Sequence, residues 1–505
     1  MKYFLTLIQL WVGFLSICAS YPKANIWIIP SVESPQVYRN YAQTSKVHLE
    51  MARGEVEHIQ LVFPSKVNEE YRFTFDRYLK GIQISARELK KMNGYYDALV
   101  PFKNQLKCTD TLTAVWITVQ CPSRVPVGKY HQTIKIEGSK HFTIQLDYNV
   151  HHTTIPLKSS IPITVGVENR CMTEGLNDKE ADKERQRWVD FVLSYRMTPV
   201  FGTQITPERW QYEHSFSPWA WNDKRSIRLL NDRRYSCYML PFFTLSENEL
   251  ASLLCNIQKK GKLKESLFYI WDEPAYMEDY EQIKRKVNII RKYASDARIL
   301  TTFFCGPRNG PRKGDLYAVF DYLKHHIHVA TISLAPCKGN EEEVQHIRYK
   351  VPEGIDWWSY VCWQPGGNEP NFLLQMKGIQ QRAVMWRTWK NGSQGFLYWN
   401  CNIYHKRNPF TYITDMPHGD GILIYPGDIL GCKGPIASAR LERWRDGAEE
   451  MELLRLVEKN YSKEKADTLL NIVYSSPLSF IEKAHNIPFF RKELLDQLDK
   501  TIPID

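Results

Sequence analysis

At 505 residues, with 43% hydrophobic, 24% charged and 13% aromatic side chains, the chain has the composition of packed domains, which excludes a disordered or fibrous protein. Lysine and arginine (66) outnumber aspartate and glutamate (56) for a net charge of +10, but the basic residues are scattered and no run of them marks a nucleic-acid-binding arm. The length accommodates two unequal domains, one of them large enough for a barrel.

Residues 1–20 read as a secretory leader. Lys2 precedes an apolar stretch over 3–17, and Cys18-Ala19-Ser20 supplies small residues before a cut near Tyr21. The expectation is a secreted or periplasmic protein with no transmembrane segment in the mature chain, because no later stretch offers about 18 uninterrupted apolar residues. Leu15-Ser16-Ile17-Cys18 also resembles a lipoprotein box, although Ile17 is bulky for it, so a lipid-anchored surface protein is the weaker alternative. The remaining cysteines are widely spaced and lack C-x-x-C, which gives no support to zinc. Cys108 and Cys121 could bridge neighbouring strands; buried thiols are the simpler reading.

From Asn25 to about His152 short alternating runs, such as 47–51, 57–63, 71–75, 114–119 and 142–150, are separated by turn residues, which predicts an all-β sandwich over 21–155 with a structural role. After Pro156 the period changes. Eight apolar strands are expected at 163–167, 198–202, 237–242, 267–271, 299–304, 328–334, 357–362 and 395–399, with helical spacing at 182–195, 247–260, 279–294 and 372–390. This predicts an α/β fold, a TIM-type (β/α)8 barrel over 156–435; the competing doubly wound sheet lacks any G-x-G-x-x-G or P-loop. Amphipathic helices at 437–459 and 463–473 would make a C-terminal extension, 436–505, packed on the barrel.

In such a barrel chemistry sits at the C-terminal ends of the strands. The fourth expected strand runs straight into Asp272-Glu273-Pro274, which places two carboxylates side by side at the mouth. Neighbouring like charges in a partly desolvated pocket raise one pKa, and Glu273, with the longer reach, is the candidate general acid. The competing reading makes one of these acids the cap of a helix begun at Pro274. A retaining glycosidase of the common type needs a second carboxylate about 5 Å from the acid. The seventh strand end, Ser359-Tyr360-Val361-Cys362-Trp363-Gln364, has none, and Asp356 and Glu369 are poorly placed. The substrate's own 2-acetamido oxygen is then the expected nucleophile, with Asp272 holding the acetamido nitrogen.

These residues resemble glycoside hydrolase family 123 and the broader family called domain of unknown function 4091. The resemblance is carried by Trp271-Asp272-Glu273-Pro274, by Trp358-Ser359-Tyr360-Val361-Cys362 with Gly395-Phe396-Leu397-Tyr398-Trp399, and by Gly419-Asp420-Gly421, Tyr425-Pro426-Gly427, Ser438-Ala439-Arg440-Leu441-Glu442 and Arg445-Asp446-Gly447. Ala52-Arg53-Gly54-Glu55 and Val127-Gly128-Lys129-Tyr130 are similar to turns of the family's sandwich domain, so the likeness covers nearly all of the mature chain. It implies an exo-acting β-N-acetylgalactosaminidase in which Asp272 orients the acetamido group and Glu273 protonates the leaving oxygen. Glu449-Glu450-Met451-Glu452 departs from the family pattern on a C-terminal helix.

Sugar rings stack on aromatic faces, which makes Trp358, Tyr360, Trp399 and Tyr404 candidate substrate platforms, with core packing as the alternative for each tryptophan. Tyr360 could hydrogen-bond the acetamido oxygen and Asn400 a sugar hydroxyl. The segment 204–234, with Trp210, Trp219 and Trp221, reads either as a cover over the entrance or as a packed insertion. His325, His326 and His328 lack metal-ligand spacing, so no metal and no cofactor are expected. Two rival functions remain open, a non-catalytic carbohydrate-binding barrel and a glycosidase with a protein nucleophile such as Glu369.

Overall fold

The computed structural model describes residues 26–76, 81–206, 211–404, 408–409 and 419–501. The expected leader and its cut site, and Trp210, lie outside these residues.

The N-terminal strands are β1 Trp27–Pro30, β2 Lys46–Arg53, β3 Val56–Pro64, β4 Glu70–Phe75, β5 Gln83–Met92, β6 Tyr95–Pro101, β7 Gln105–Lys107, β8 Leu112–Gln120, β9 Gly128–Glu137 and β10 His141–Thr154. They form two five-stranded sheets, ordered β1-β3-β8-β5-β6 and β2-β10-β9-β4-β7. Alternation decides the packing. Ile59, Leu61, Phe63, Val115, Ile117 and Val119 of the first sheet share one core with Phe73, Ile134, Ile136, Ile144 and Leu146 of the second. The opposite face of the first sheet, including Val62 and Trp116, belongs to the larger core of the rest of the molecule. Cys108 and Cys121 are buried free thiols.

The second half contains β11 Ile163–Glu168, α1 Asn169–Thr173, α2 Asp178–Ser194, β12 Thr198–Thr206, β13 Gln211–Ser215, α3 Lys224–Leu229, β14 Tyr238–Met239, α4 Glu247–Lys259, β15 Ser266–Trp271, α5 Met277–Arg291, β16 Arg298–Phe303, α6 Ala318–Leu323, β17 Val329–Ser333, α7 Glu341–Lys350, β18 Asp356–Val361, α8 Gly378–Lys390 and β19 Phe396–Tyr398. All eight expected strands are present in one nine-stranded sheet, ordered β13-β12-β11-β19-β18-β17-β16-β15-β14. They pair in parallel, whereas β13 returns antiparallel to β12. The Phe216 amide donates to the Met239 carbonyl at 2.6 Å across the seam, so the sheet is nearly closed and barrel-like.

The expected plain alternation of strand and helix is therefore corrected at its second repeat, where a hairpin strand is interposed. Buried parallel strands read as continuous apolar runs, but β13 reads Gln-Tyr-Glu-His-Ser, and its period escapes that criterion. The 204–234 segment is a packed insertion in its described part. Trp219 is buried, and its indole Nε1 donates to Asp182 on α2 at 3.1 Å. Val200, Met239, Leu267, Leu300, Val329, Trp358, Tyr360 and Leu397 pack inside the barrel, while Trp357 turns outward into the helical layer.

Helices α9 Ala439–Asn460, α10 Lys463–Leu470 and α11 Ile487–Asp499 close the chain. The expected amphipathic α9 is instead buried on every side from Ala439 to Leu454. Its charges are tolerated there because each meets a partner. Arg382 of α8 donates to Glu450 at 2.6 and 3.0 Å and to Asp446 at 3.0 Å. Arg491 of α11 lies 2.8 Å from Glu55 and 2.9 Å from Glu57, Arg196 is 3.1 Å from Glu449, and Arg87 is 2.6 Å from Glu442. This helix thus joins the N-terminal sheets to the barrel. Among the described residues no helix is long and apolar enough to cross a membrane.

Candidate active site

The carboxylate pair arises where β15 stops behaving as a strand. Its register against β16 shifts between Tyr269 and Trp271, and Glu273 then adopts a left-handed backbone, φ +45°. A non-glycine residue there carries strain of about 1–3 kcal/mol, which surrounding contacts must offset. They are present. The Glu273 amide donates to Thr302 Oγ1 at 2.9 Å, and the Tyr360 hydroxyl donates to Glu273 Oε1. Tyr360 lies on β18, three strands round the sheet, so Glu273 reaches across the mouth.

Asp272 is held from the other side. Tyr269 Oη and Thr302 Oγ1 each donate to its Oδ1 at 2.7 Å. His214 of β13 stacks on the Tyr269 ring, with centroids 4.3 Å apart and planes 13° from parallel. Desolvation lowers the His214 imidazole to about 4, so this ring is neutral near pH 7. Both acid side chains are solvent-exposed. A separate cavity of about 530 Å³, bounded by Ile28, Leu49, Ile59 and Phe489, lies between the N-terminal sheets and α11, away from the acids.

Neither acid caps the helix that follows. Helix α5 begins at Met277, and its own Asp279 accepts from the Ala275 and Tyr276 amides at 2.8 Å. Protein atoms crowd the Glu273 carboxyl from the strand side, and this desolvation, reinforced by the Asp272 charge, pushes it up to about 7. The Tyr360 hydrogen bond and the Arg308 charge pull the other way. Tyr360→Phe is therefore expected to raise the Glu273 carboxyl further and move the alkaline limb of kcat/KM to higher pH. A limb that stays put would deny the hydroxyl this role.

The other sequence candidates divide. Tyr360 joins the acids. Trp358, 1% exposed, fills the barrel interior against Gly395, where a Cβ would come within 2.2 Å of the indole, so it offers no face to a sugar. Tyr404, also 1% exposed, packs in an apolar cluster with Ile403, Ile422 and Tyr425. Both are corrections to the platform reading; their size and register made them core. Trp399 is half-buried and donates from Nε1 to Asp420 at 3.1 Å. Asn400 is buried, and its Oδ1 accepts from the Asn402 amide at 2.9 Å, a turn-forming contact. Glu369 is buried beside Arg387, whose Nη1 donates to it at 2.9 Å.

Sequence reasoning missed three neighbours, Tyr269, Thr302 and His214, and one exposed aromatic residue, Trp363. The first two are inward-facing strand residues, for which alternation was an available signal, and His214 rides on the unrecognised β13. Trp363 lies just past β18, is 41% exposed and is near-parallel to Phe304, with centroids 6.5 Å apart. It presents the open aromatic face that Trp358 does not. Among the described residues no three histidine, cysteine or acidic side chains converge as a metal-binding set.

The glycoside hydrolase 123 catalytic-domain family matches residues 183–457, more than half of the chain. A family 123 glycoside hydrolase from Clostridium perfringens, solved in a study of glycolipid glycan hydrolysis, is similar in fold, with a TM-score of 0.64 at 13% identity, over 94% of this chain and 98% of that one. An FMN-binding β-glucuronidase from Facaelibacterium prausnitzii gives a TM-score of 0.32 at 9% identity over 75% and 58% of the two chains. No curated protein matches the sequence. The protein is a glycoside hydrolase, with its acid pair at the strand ends of a barrel-like sheet. It belongs to glycoside hydrolase family 123.

Proposed function

We propose that the enzyme is a retaining exo-glycosidase that removes β-linked N-acetylhexosamine, N-acetylgalactosamine foremost, by substrate-assisted catalysis on a (β/α)8-type barrel. The observation that carries the reading is the division of the acid pair. Glu273 has a carboxyl raised to about 7, while adjacent Asp272 has Oδ1 taken by two hydroxyl donors and Oδ2 free of hydrogen bonds among the described residues. In the first step the 2-acetamido oxygen bonds to C1, the C1–O glycosidic bond breaks, and Glu273 gives its proton to the leaving oxygen. Asp272 Oδ2 accepts the acetamido N–H and stabilises the cyclic intermediate. Water then attacks C1 as the bond from C1 to the acetamido oxygen breaks and the 2-acetamido group is restored, the Glu273 carboxylate takes the water's proton, and the β configuration is retained.

A group that serves first as acid and then as base works best with a pKa near the working pH, which the raised Glu273 carboxyl supplies. The rival protein nucleophile, Glu369, loses support because Arg387 already neutralises it in a buried pair. The relative's glycolipid glycan supports a glycoconjugate substrate for this chain as well. The leader-like residues 1–20 support export to the periplasm or the medium, and the chain organisation supports a sandwich over 21–155, a barrel over 156–435 and a helical extension over 436–505.

The test is a panel of aryl β-glycosides differing at C2 and C4, with a hexosamine thiazoline as inhibitor. Turnover confined to 2-acetamido sugars, with tight thiazoline inhibition, is expected. Equal turnover of 2-hydroxy sugars would remove the acetamido step.

A further inference from the structure

We propose that Thr302 is the positioning residue that couples the two acids, setting the Asp272 carboxylate and the Glu273 backbone with one hydroxyl group. The inference rests on the substrate-assisted reading and goes beyond it by naming the residue that sets its two acids. Thr302 lies on β16, next to β15, and is 1% exposed. Its Oγ1 donates to Asp272 Oδ1 at 2.7 Å and accepts from the Glu273 amide at 2.9 Å. A hydroxyl has one proton to give and lone pairs to receive, so it can serve both acids at once. No other described side chain bonds both residues.

The geometry explains why the coupling is required. After the register shift, Trp271 pairs with Thr301, so Asp272 and Glu273 emerge from β15 beside Thr302, and Glu273 is left at φ +45°. In that conformation its amide points back toward β16. Unanswered, the amide would favour a relaxed backbone that swings the Glu273 carboxyl away from the leaving oxygen. The same hydroxyl and Tyr269 occupy Asp272 Oδ1, which presents Oδ2 to the acetamido nitrogen. β-branching restricts χ1, so threonine holds its hydroxyl in a more defined direction than serine would.

The decisive comparison is Thr302→Val against Thr302→Ser. Valine keeps the shape and strand preference and removes both hydrogen bonds, whereas serine keeps them. Misplacement of reacting groups by about 1 Å costs about 10²-fold, so Thr302→Val is expected to lower kcat on an aryl N-acetyl-β-hexosaminide about 100-fold with little change in KM. Thiazoline affinity should fall with kcat. Thr302→Ser should keep kcat within a few-fold of wild type, and both variants should retain the wild-type circular dichroism. Wild-type kcat in Thr302→Val, or equal loss in both variants, overturns the proposal. If the wild-type enzyme hydrolyses only 2-hydroxy sugars, the substrate-assisted reading fails, and the valine–serine contrast on those sugars still decides Thr302. If no aryl glycoside is turned over, the crystal structure of Thr302→Val decides. An unmoved Asp272 carboxylate with Glu273 still left-handed refutes the coupling, and displacement of either upholds it.

Discussion

Glu273→Gln is expected to slow hydrolysis of glycosides with poor leaving groups by about 10²–10⁴-fold, the usual range for losing a general acid. Activated aryl glycosides, whose leaving oxygen needs little help from a proton, should lose much less in the bond-breaking step. The pH dependence follows from the sign of the shift. Desolvation and the Asp272 charge push the carboxyl up to about 7, so the protonated, competent form prevails below that value and declines above it. The kcat/KM of the wild type should accordingly fall as pH rises through about 7, and Glu273→Gln should lack that alkaline limb. Steady-state kinetics on paired substrates across pH 5–9 checks both statements; full activity of the variant on poor leaving groups would exclude Glu273 as the acid.

Arg382→Met is expected to produce the largest loss of stability. Breaking a buried ion pair by removing one partner costs about 3–5 kcal/mol, because the other charge is left in a poorly solvated place. Arg382 is 2% exposed and serves both Glu450 and Asp446, which are 0% and 1% exposed, so two buried carboxylates lose their shared guanidinium and keep only the more distant Arg491, 3.4 Å from Glu450, and His58, 3.3 Å from Asp446, as cationic partners. Methionine fills much of the same volume and separates the charge effect from a cavity. By contrast, the partly exposed pair of Lys463 with Asp467, 3.4 Å apart, should give less than about 1 kcal/mol on loss of either partner. Guanidinium unfolding followed by far- and near-ultraviolet circular dichroism measures the difference. Equal effects at the two sites would contradict the role assigned to the buried network.

Much of this architecture was legible because two periods differ so plainly. Period-two runs such as the first ten residues of His141–Thr154 announce sheets with two distinct faces, and apolar runs such as Val329–Ser333 announce strands covered on both sides. The acid pair was legible for the same reason, since the run of Ser266–Trp271 ends where the acids begin. Two features were not. Strand β13 is polar and joins the sheet only through its pairing with β12, a tertiary choice with no local signature. The burial of α9 was hidden because Arg440, Glu442, Arg445, Asp446, Glu449 and Glu450 look like a solvated surface until their partners, up to several hundred residues away, are known. The same blindness leaves Trp358 open between platform and core, because the glycine that receives its indole, Gly395, lies on another segment. Trp363, two positions beyond the strand end, is the ring left 41% exposed, but nothing local separates an exposed ring from an internal one.

The continuous burial of α9 has an architectural consequence. One helix serves both halves as a common spine, so neither half is a portable module. Severing them would take Arg87 and His58 from Glu442 on one fragment and leave Glu55 and Glu57 without Arg491 on the other.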